Sequence, residues 1–185
     1  MTNRKGNRAR VRNRWYGANK WGEREKKPRA SFKGTAQFTL DDVFIMPFTH
    51  ELTSDELGRK GYTPLSVNRR PTGIHVFDDY LQALSIGDSN IGSFCDRYQA
   101  KTADLDGLVF LLTGISNTAF RNQWIIRSAD LLLRYTDLSI TKIADRSGAG
   151  TRNNLYFMYE RDFNCSPTQR RDDLRMPGDL GHYRI

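Results

Sequence analysis

The first 34 residues carry side chains suited to binding a polyanion. They contain twelve Lys/Arg against two Asp/Glu, a net charge of +10, whereas the whole chain of 185 residues carries +8. We predict that six of the basic residues bind phosphates, because Lys and Arg neutralise phosphate charge. These six are Arg4, Lys5, Arg8, Arg10, Arg12 and Arg14. The aromatic residues Trp15, Tyr16 and Trp21 interrupt the basic run, and their rings can stack on bases or enter a groove.

This basic segment is rich in Asn and Gly and has no helical or strand periodicity. We predict a tail over residues 1–34 that is disordered when free. The positive excess ends with it, since residues 75–175 contain twelve Lys/Arg and thirteen Asp/Glu, a net charge of −1. Domains that bind DNA through their own surface are usually basic. The tail is therefore expected to supply phosphate affinity, and two alternatives stay open: a merely solubilising tail, and a helical domain with another partner.

Side chains that could catalyse a reaction or bind a metal are scattered along the chain. His50, His75 and His182 are far apart and have no Cys-x-x-Cys nearby, and the two cysteines, Cys95 and Cys165, are distant from each other. Neither a zinc-ligand spacing nor a catalytic triad, carboxylate pair or phosphate loop is present. We predict a protein without enzymatic activity, metal or cofactor, with reduced thiols. There is no apolar run of 18 residues, so no membrane partner is expected.

Helical periodicity begins near residue 75 and predicts an all-α domain of about seven helices over residues 74–176. The longest helix, "NTAFRNQWIIRSADLLLRY", follows a capping Ser116 and has one apolar face over five turns. Its apolar stripe consists of Phe120, Trp124, Ile125, Ala129, Leu132 and Leu133.

Two shorter helix pairs flank this long helix. The predicted pairs are 91–100 with 102–112, and 140–147 with 152–163, each with helix-turn-helix spacing. In the second pair, Ser139 is the predicted N-cap, Gly148 and Gly150 form the turn, and Asn164 ends the second helix, with Phe163 predicted to point inward. A last helix is predicted to begin at Ser166-Pro167 and to expose the charged run "RRDDLR".

Residues 35–73 are less regular. They contain three prolines and one apolar patch, Val43 to Phe48, so we predict a linker that packs partly onto the helical domain. The stretch "TSDEL" favours a short helix beginning after Thr53 or Ser54. Residues 177–185 are predicted to form a C-terminal tail.

A set of motifs between residues 77 and 171 has a specific joint spacing. The motifs are Thr113-Gly114, "FRNQW", Ala129 with Leu131-Leu132, Thr136, Leu138-Ser139-Ile140, Ile143-Ala144, Gly148, Phe163, Ser166-Pro167 and Arg171. With them the chain resembles the DNA-binding domain of AraC/XylS-type transcription regulators, without an effector domain. The resemblance implies two helix-turn-helix units that each offer their second helix to the major groove of double-stranded DNA. Where that family usually has Phe after the turn glycine, this chain has Ala149.

The second pair has the side chains expected of a base-reading helix. Arg152, Asn153 and Tyr156 fall on its outward face near the helix start, and Arg suits guanine as Asn suits adenine. Thr151 and Asn154 are predicted to contact phosphates.

In the first pair, the resemblance places Ala103, Asp106 and Gly107 toward the bases, with Asp104 beside them. Their carboxylates repel phosphates. We therefore expect either weak DNA contacts or an acidic Asp104/Asp106 face for a protein such as RNA polymerase.

These patterns predict a sequence-specific, DNA-binding transcription regulator of the bacterial cytoplasm, acting at the nucleoid. Two alternatives remain. One is an architectural or accessory DNA-binding protein of a phage or mobile element, and the other is an interaction protein whose basic tail binds RNA.

Overall fold

The structure is a computed structural model that describes residues 34–65, 71–88 and 90–185. Residues 1–33 of the predicted tail over residues 1–34 lie outside the described residues, and with them the phosphate-binding candidates Arg4, Lys5, Arg8, Arg10, Arg12 and Arg14.

Within the described ranges the chain forms eight helices and three short strands. The predicted all-α fold of about seven helices is confirmed for the helical part of the chain, whereas the three strands, which form a small sheet, were not predicted. The elements are α1 (Leu40–Val43), β1 (His50–Ser54), β2 (Lys60–Pro64), α2 (His75–Ser85), α3 (Ile91–Arg97), α4 (Thr102–Thr113), α5 (Asn117–Tyr135), α6 (Ile140–Arg146), α7 (Arg152–Phe163), α8 (Pro167–Leu174) and β3 (Tyr183–Arg184). The two predicted pairs are α3–α4 and α6–α7, and α5 joins them.

Helix α5 contributes to two hydrophobic clusters, one for each helix pair. All six residues of its predicted apolar stripe are buried. Phe120 and Trp124 pack with α2, α3 and α4, whereas Ile125, Leu132 and Leu133 pack with α6 and α7. One amphipathic helix thus supplies part of the core of both pairs and links them.

Local sequence signals set the ends of the helices where they were predicted. The hydroxyls of Ser116, Ser139 and Ser166 each accept a hydrogen bond from the backbone N–H three residues later, at 3.2–3.3 Å. Helix α7 ends at Asn164, whose φ of 54° is left-handed, and α4 ends at Gly114 with φ of 74°.

The three strands form an antiparallel sheet in the order β2-β1-β3. The predicted helix after Thr53 or Ser54 is wrong, because residues 50–54 form β1 and pair with residues 60–64. The polar residues of "TSDEL" instead support the hairpin turn, where the Asp55 carboxylate accepts from the N–H groups of Leu57 and Arg59 at 3.0 and 2.8 Å. At the end of the chain, Tyr183 and Arg184 pair with Glu51 and His50.

Residues 34–48 pack against both hydrophobic clusters. The N–H groups of Gln37 and Phe38 donate to the Leu112 carbonyl at the end of α4, at 2.9 and 3.1 Å. The Phe44 ring lies 4.9 Å from Trp124 in the first cluster. Phe48, only 2% exposed, belongs to the second cluster and stacks on Tyr183 at 4.8 Å. This segment therefore packs against the clusters of both helix pairs and adds a second packed connection between them.

Candidate nucleic-acid interface

The turn between α6 and α7 is built by backbone conformation and by two side chains. Gly148 and Gly150 have φ of 84° and 77°, in the left-handed region that favours glycine. The Thr151 hydroxyl accepts from the Asn154 N–H at 3.2 Å, and the Asn154 side chain donates to the Ala149 carbonyl at 2.8 Å. Thr151 and Asn154, which are predicted to contact phosphate, thus also hold the first turn of α7 in place. Both side chains are exposed.

Arg152, Asn153 and Tyr156 lie together at the N-terminal end of α7, and the first two are exposed. The Arg152 guanidinium donates to the Tyr156 hydroxyl at 3.2 Å and lies 5.1 Å from the centre of its ring. The Tyr156 hydroxyl is 3.4 Å from the Thr168 hydroxyl of α8. The bonds with Thr168 and Arg152 lower the pKa of Tyr156. Arg152 is thus oriented along the helix surface by a neighbouring aromatic ring.

Phe157 extends this surface, although it was not among the residues predicted to contact DNA. Its side chain is 63% exposed, although phenylalanine is usually buried. The signal was available in the sequence, because Phe157 stands one helical turn after Asn153 and away from the inward positions Leu155, Met158 and Tyr159.

Phe163 was predicted to point inward with those three residues, and that prediction is wrong. It is 38% exposed, because it stands at the last position of α7, where the chain turns away at Asn164. Its ring packs on Tyr159 at 5.5 Å and carries the Arg170 guanidinium at 4.5 Å. Phe163 therefore covers the junction of α7 and α8.

Helix α8 joins α5 to the second pair through its arginines. Arg170 binds the Asp130 carboxylate through two nitrogens at 2.8 and 3.1 Å, and the Tyr159 hydroxyl donates to the same carboxylate at 2.7 Å. Arg171 and Arg175 donate to carbonyls of Leu138 and Thr136 at 2.5 and 2.7 Å. The prediction of an exposed charged face for "RRDDLR" is wrong for these arginines, because they satisfy carbonyls at and just after the end of α5.

The outward surface of α4 is small and acidic. Ala103, Asp104, Asp106 and Gly107 are all exposed, as expected for this helix. Asp106 accepts from the Asn117 amide at 3.0 Å, and the oxygen of this buried amide accepts from the Tyr80 hydroxyl at 2.5 Å. Asp104 accepts from the Lys101 N–H at 2.8 Å. Each carboxylate therefore has a local structural role.

Asp106 gives a direct test of that role. The variant Asp106→Ala is expected to lower the free energy of unfolding by about 1–2 kcal/mol, because the buried Asn117 amide loses a charged acceptor. Its effect on DNA binding should be small. Urea unfolding and DNA titration of the same preparation would check both expectations, and a changed base preference would instead make Asp106 a base-reading residue.

The two helix pairs differ in charge. Residues 75–115, from α2 to the end of the first pair, contain two Lys/Arg and six Asp, a net charge of −4. Residues 116–175, from α5 to α8, contain ten Lys/Arg and seven Asp/Glu, a net charge of +3. A polyanion is therefore attracted to the second pair and repelled by the first.

Residues 34–65, 71–88 and 90–185 offer little other chemistry. No group of three or more His, Cys, Asp or Glu side chains there could hold a metal ion. Cys95 and Cys165 are free thiols, and burial raises the pKa of Cys95. In the same ranges, no helix is both long enough and apolar enough to cross a membrane.

Three solved structures are similar to about half of the chain. The C-terminal domain of AraT, a response regulator from Geobacillus stearothermophilus, is 21% identical with a TM-score of 0.49, over 56% of this chain and 86% of that one. The C-terminal domain of the two-component response regulator YesN from Fusobacterium nucleatum is 18% identical with a TM-score of 0.46, over 52% and 94%. The DNA-binding domain of AdpA, a global transcriptional factor in complex with a target DNA, is 22% identical with a TM-score of 0.44, over 54% and 88%. No family model matches the sequence, and no curated protein matches it.

Proposed function

We propose that the protein is a sequence-specific DNA-binding transcription regulator that reads the major groove through α7. The observation that carries this proposal is the joint exposure of Arg152 and Asn153 beside Tyr156, at the start of the second helix of a helix-turn-helix pair. Arg can bind guanine and Asn can bind adenine, each through two hydrogen bonds. The resemblance to AraC/XylS-type domains gives the same helix the same role.

The two helix pairs have different tasks in this proposal. The second pair, with a net charge of +3 over residues 116–175, approaches the duplex, and Thr151 and Asn154 contact phosphates at its edge. The first pair, with −4 over residues 75–115, adds little to DNA binding. Its Asp104/Asp106 face is available to a protein such as RNA polymerase.

The basic segment supplies most of the phosphate affinity in this proposal. Residues 1–34 carry +10, more than the net charge of the whole chain. Charge of this kind binds any duplex, so it raises affinity without selecting a sequence. Sequence preference is then assigned to α7 and general affinity to the tail.

Selection from a random duplex DNA pool tests the proposal. Wild-type protein is expected to enrich a motif, and Arg152→Ala is expected to lose about 1–3 kcal/mol of discrimination at one guanine of that motif. Arg161→Ala is the matched control, because Arg161 is exposed on the same helix but pairs with Asp162 at its far end. A motif that Arg152→Ala leaves unchanged would remove Arg152 from the reading surface.

Two other outcomes of the selection point to the alternative functions. DNA retained without any enriched motif would favour an architectural or accessory protein of a phage or mobile element. Stronger competition by structured RNA than by duplex DNA would favour an interaction protein whose tail binds RNA. The near-neutral helical domain and the separate basic tail are compatible with either of these functions.

A further inference from the structure

Phe157 is exposed on the helix that is proposed to enter the major groove. The neighbouring aromatic residues of α7 have partners, since Tyr159 is buried and hydrogen-bonded to Asp130 and Phe163 packs under Arg170. Phe157 leaves 63% of its surface to solvent, on a helix with only three buried residues. An apolar ring in that place is suited to an apolar group on the partner.

Helix geometry places Phe157 close to the centre of the outward face. The buried residues Leu155, Met158 and Tyr159 define the inner side of α7. An α-helix rotates by about 100° per residue. On this basis Asn153 lies almost opposite the three buried residues, and Phe157 lies about 40° from Asn153 around the helix axis. Arg152 lies about 100° from Asn153 on the other side, where it contacts Tyr156. Phe157 is thus nearer to the middle of the outward face than Arg152.

Among the base edges in the major groove, the apolar group is the C5-methyl group of thymine. Phenylalanine is among the side chains that contact it, and cytosine lacks it. Four residues of helix advance about 6 Å along its axis, whereas successive base pairs of one strand are about 3.4 Å apart. A side chain at position 157 therefore reaches a base one or two pairs away from the base that Asn153 contacts.

We propose that Phe157 contacts a thymine methyl group and makes the protein prefer thymine at one or two base pairs from the position read by Asn153. This inference rests on the proposed function and assigns a specificity residue to the same surface. The contact buries the Phe157 ring on DNA binding and carries no hydrogen bond. Its loss therefore affects one base position and leaves the rest of the recognition sequence intact.

Replacing single thymines of the selected motif by deoxyuridine tests the contact in the wild-type protein. Deoxyuridine removes only the methyl group. At one thymine, replacement by deoxyuridine is expected to lower the affinity about fourfold. This factor corresponds to the free energy gained when one methyl group is removed from water. In Phe157→Ala the same replacement should have no measurable effect on affinity. In Phe157→Leu it should lower affinity again, but by less than in the wild-type protein.

Leu111→Ala is the matched control, because Leu111 is 65% exposed on α4 of the other helix pair. This variant should keep the wild-type response to deoxyuridine. Thermal unfolding of each variant shows that it is folded, and the wild-type deoxyuridine scan does not depend on any variant.

The outcomes separate this inference from the proposed function. A motif that depends on Asn153 and Arg152 but responds to no deoxyuridine overturns the role of Phe157 alone. An equal deoxyuridine effect in wild type and Phe157→Ala also overturns it, and assigns the methyl contact to another residue. If the selection enriches no motif, both proposals fail together.

Discussion

A variant of the 185-residue chain with glutamine in place of the six basic residues between positions 4 and 14 will show a much weaker salt dependence of DNA binding than the wild-type chain. Each phosphate that a protein neutralises contributes about 0.9 to the slope of log K against log salt concentration, so six contacts contribute about 5. Between 50 and 200 mM salt, the wild-type protein should thus lose about a thousandfold more affinity than the variant. Fluorescence anisotropy with one labelled duplex over a series of salt concentrations measures both slopes.

A control variant that removes negative charge should change the affinity in the opposite direction. Glu23 and Glu25 are the two acidic residues of the basic segment, and glutamine at both positions should strengthen binding to every duplex. Neither variant should alter the selected motif, because phosphate contacts carry no sequence information. Equal slopes for the wild-type protein and the glutamine variant at positions 4–14 would show that this segment does not contact phosphates.

The helices could be predicted because their determinants are close together in the sequence. The apolar stripe of α5 recurs at three and four residues, and Ser116, Ser139 and Ser166 each bond to an N–H group three residues away. These interactions are local, so a single sequence contains the information. The bounds of α7, 152–163, match the prediction for the same reason.

The pairing of β3 with the sheet could not be predicted from such local signals. Strand β1 pairs with β3 across more than 120 residues of chain, and β3 has only two residues. The arginines of α8 likewise bond to groups more than 30 residues away, for example Arg171 to the Leu138 carbonyl. Interactions between distant segments depend on the packed arrangement, which residue spacing alone does not determine.

The candidate site also combines features set by local sequence with features that depend on distant segments. The exposed positions of Arg152 and Asn153 followed from helical periodicity. The structural bond of Asp106 did not, because it depends on the buried amide of Asn117 and on Tyr80 of another helix. Phe157 was not predicted as a contact residue, although its spacing from Leu155, Met158 and Tyr159 places it outward, because an aromatic residue in a helix is more often part of the core.

Gly87→Ala will lower the free energy of unfolding by about 2–5 kcal/mol, since an alanine there meets both backbone strain and a steric clash. Gly87 lies in the loop after α2 and has φ of 79°. A Cβ atom at this position would stand 2.7 Å from the Asp145 carbonyl oxygen and 2.9 Å from that of Arg146. Both atoms belong to the backbone at the end of α6, which cannot rotate away as a side chain can. Urea-induced unfolding followed by circular dichroism measures the change.

Gly150→Ala separates the clash from the strain. Gly150 has a similar φ of 77°, but nothing lies within 4 Å of a Cβ atom added there. Strain alone is expected to lower its stability by about 1–2 kcal/mol, so Gly87→Ala should be clearly the more damaging of the two. The difference measures the close approach of the α2–α3 loop to α6, which is one of the contacts that fix the first helix pair relative to the second. Equal losses in the two variants would mean that this approach relaxes without cost and does not hold the pairs in place.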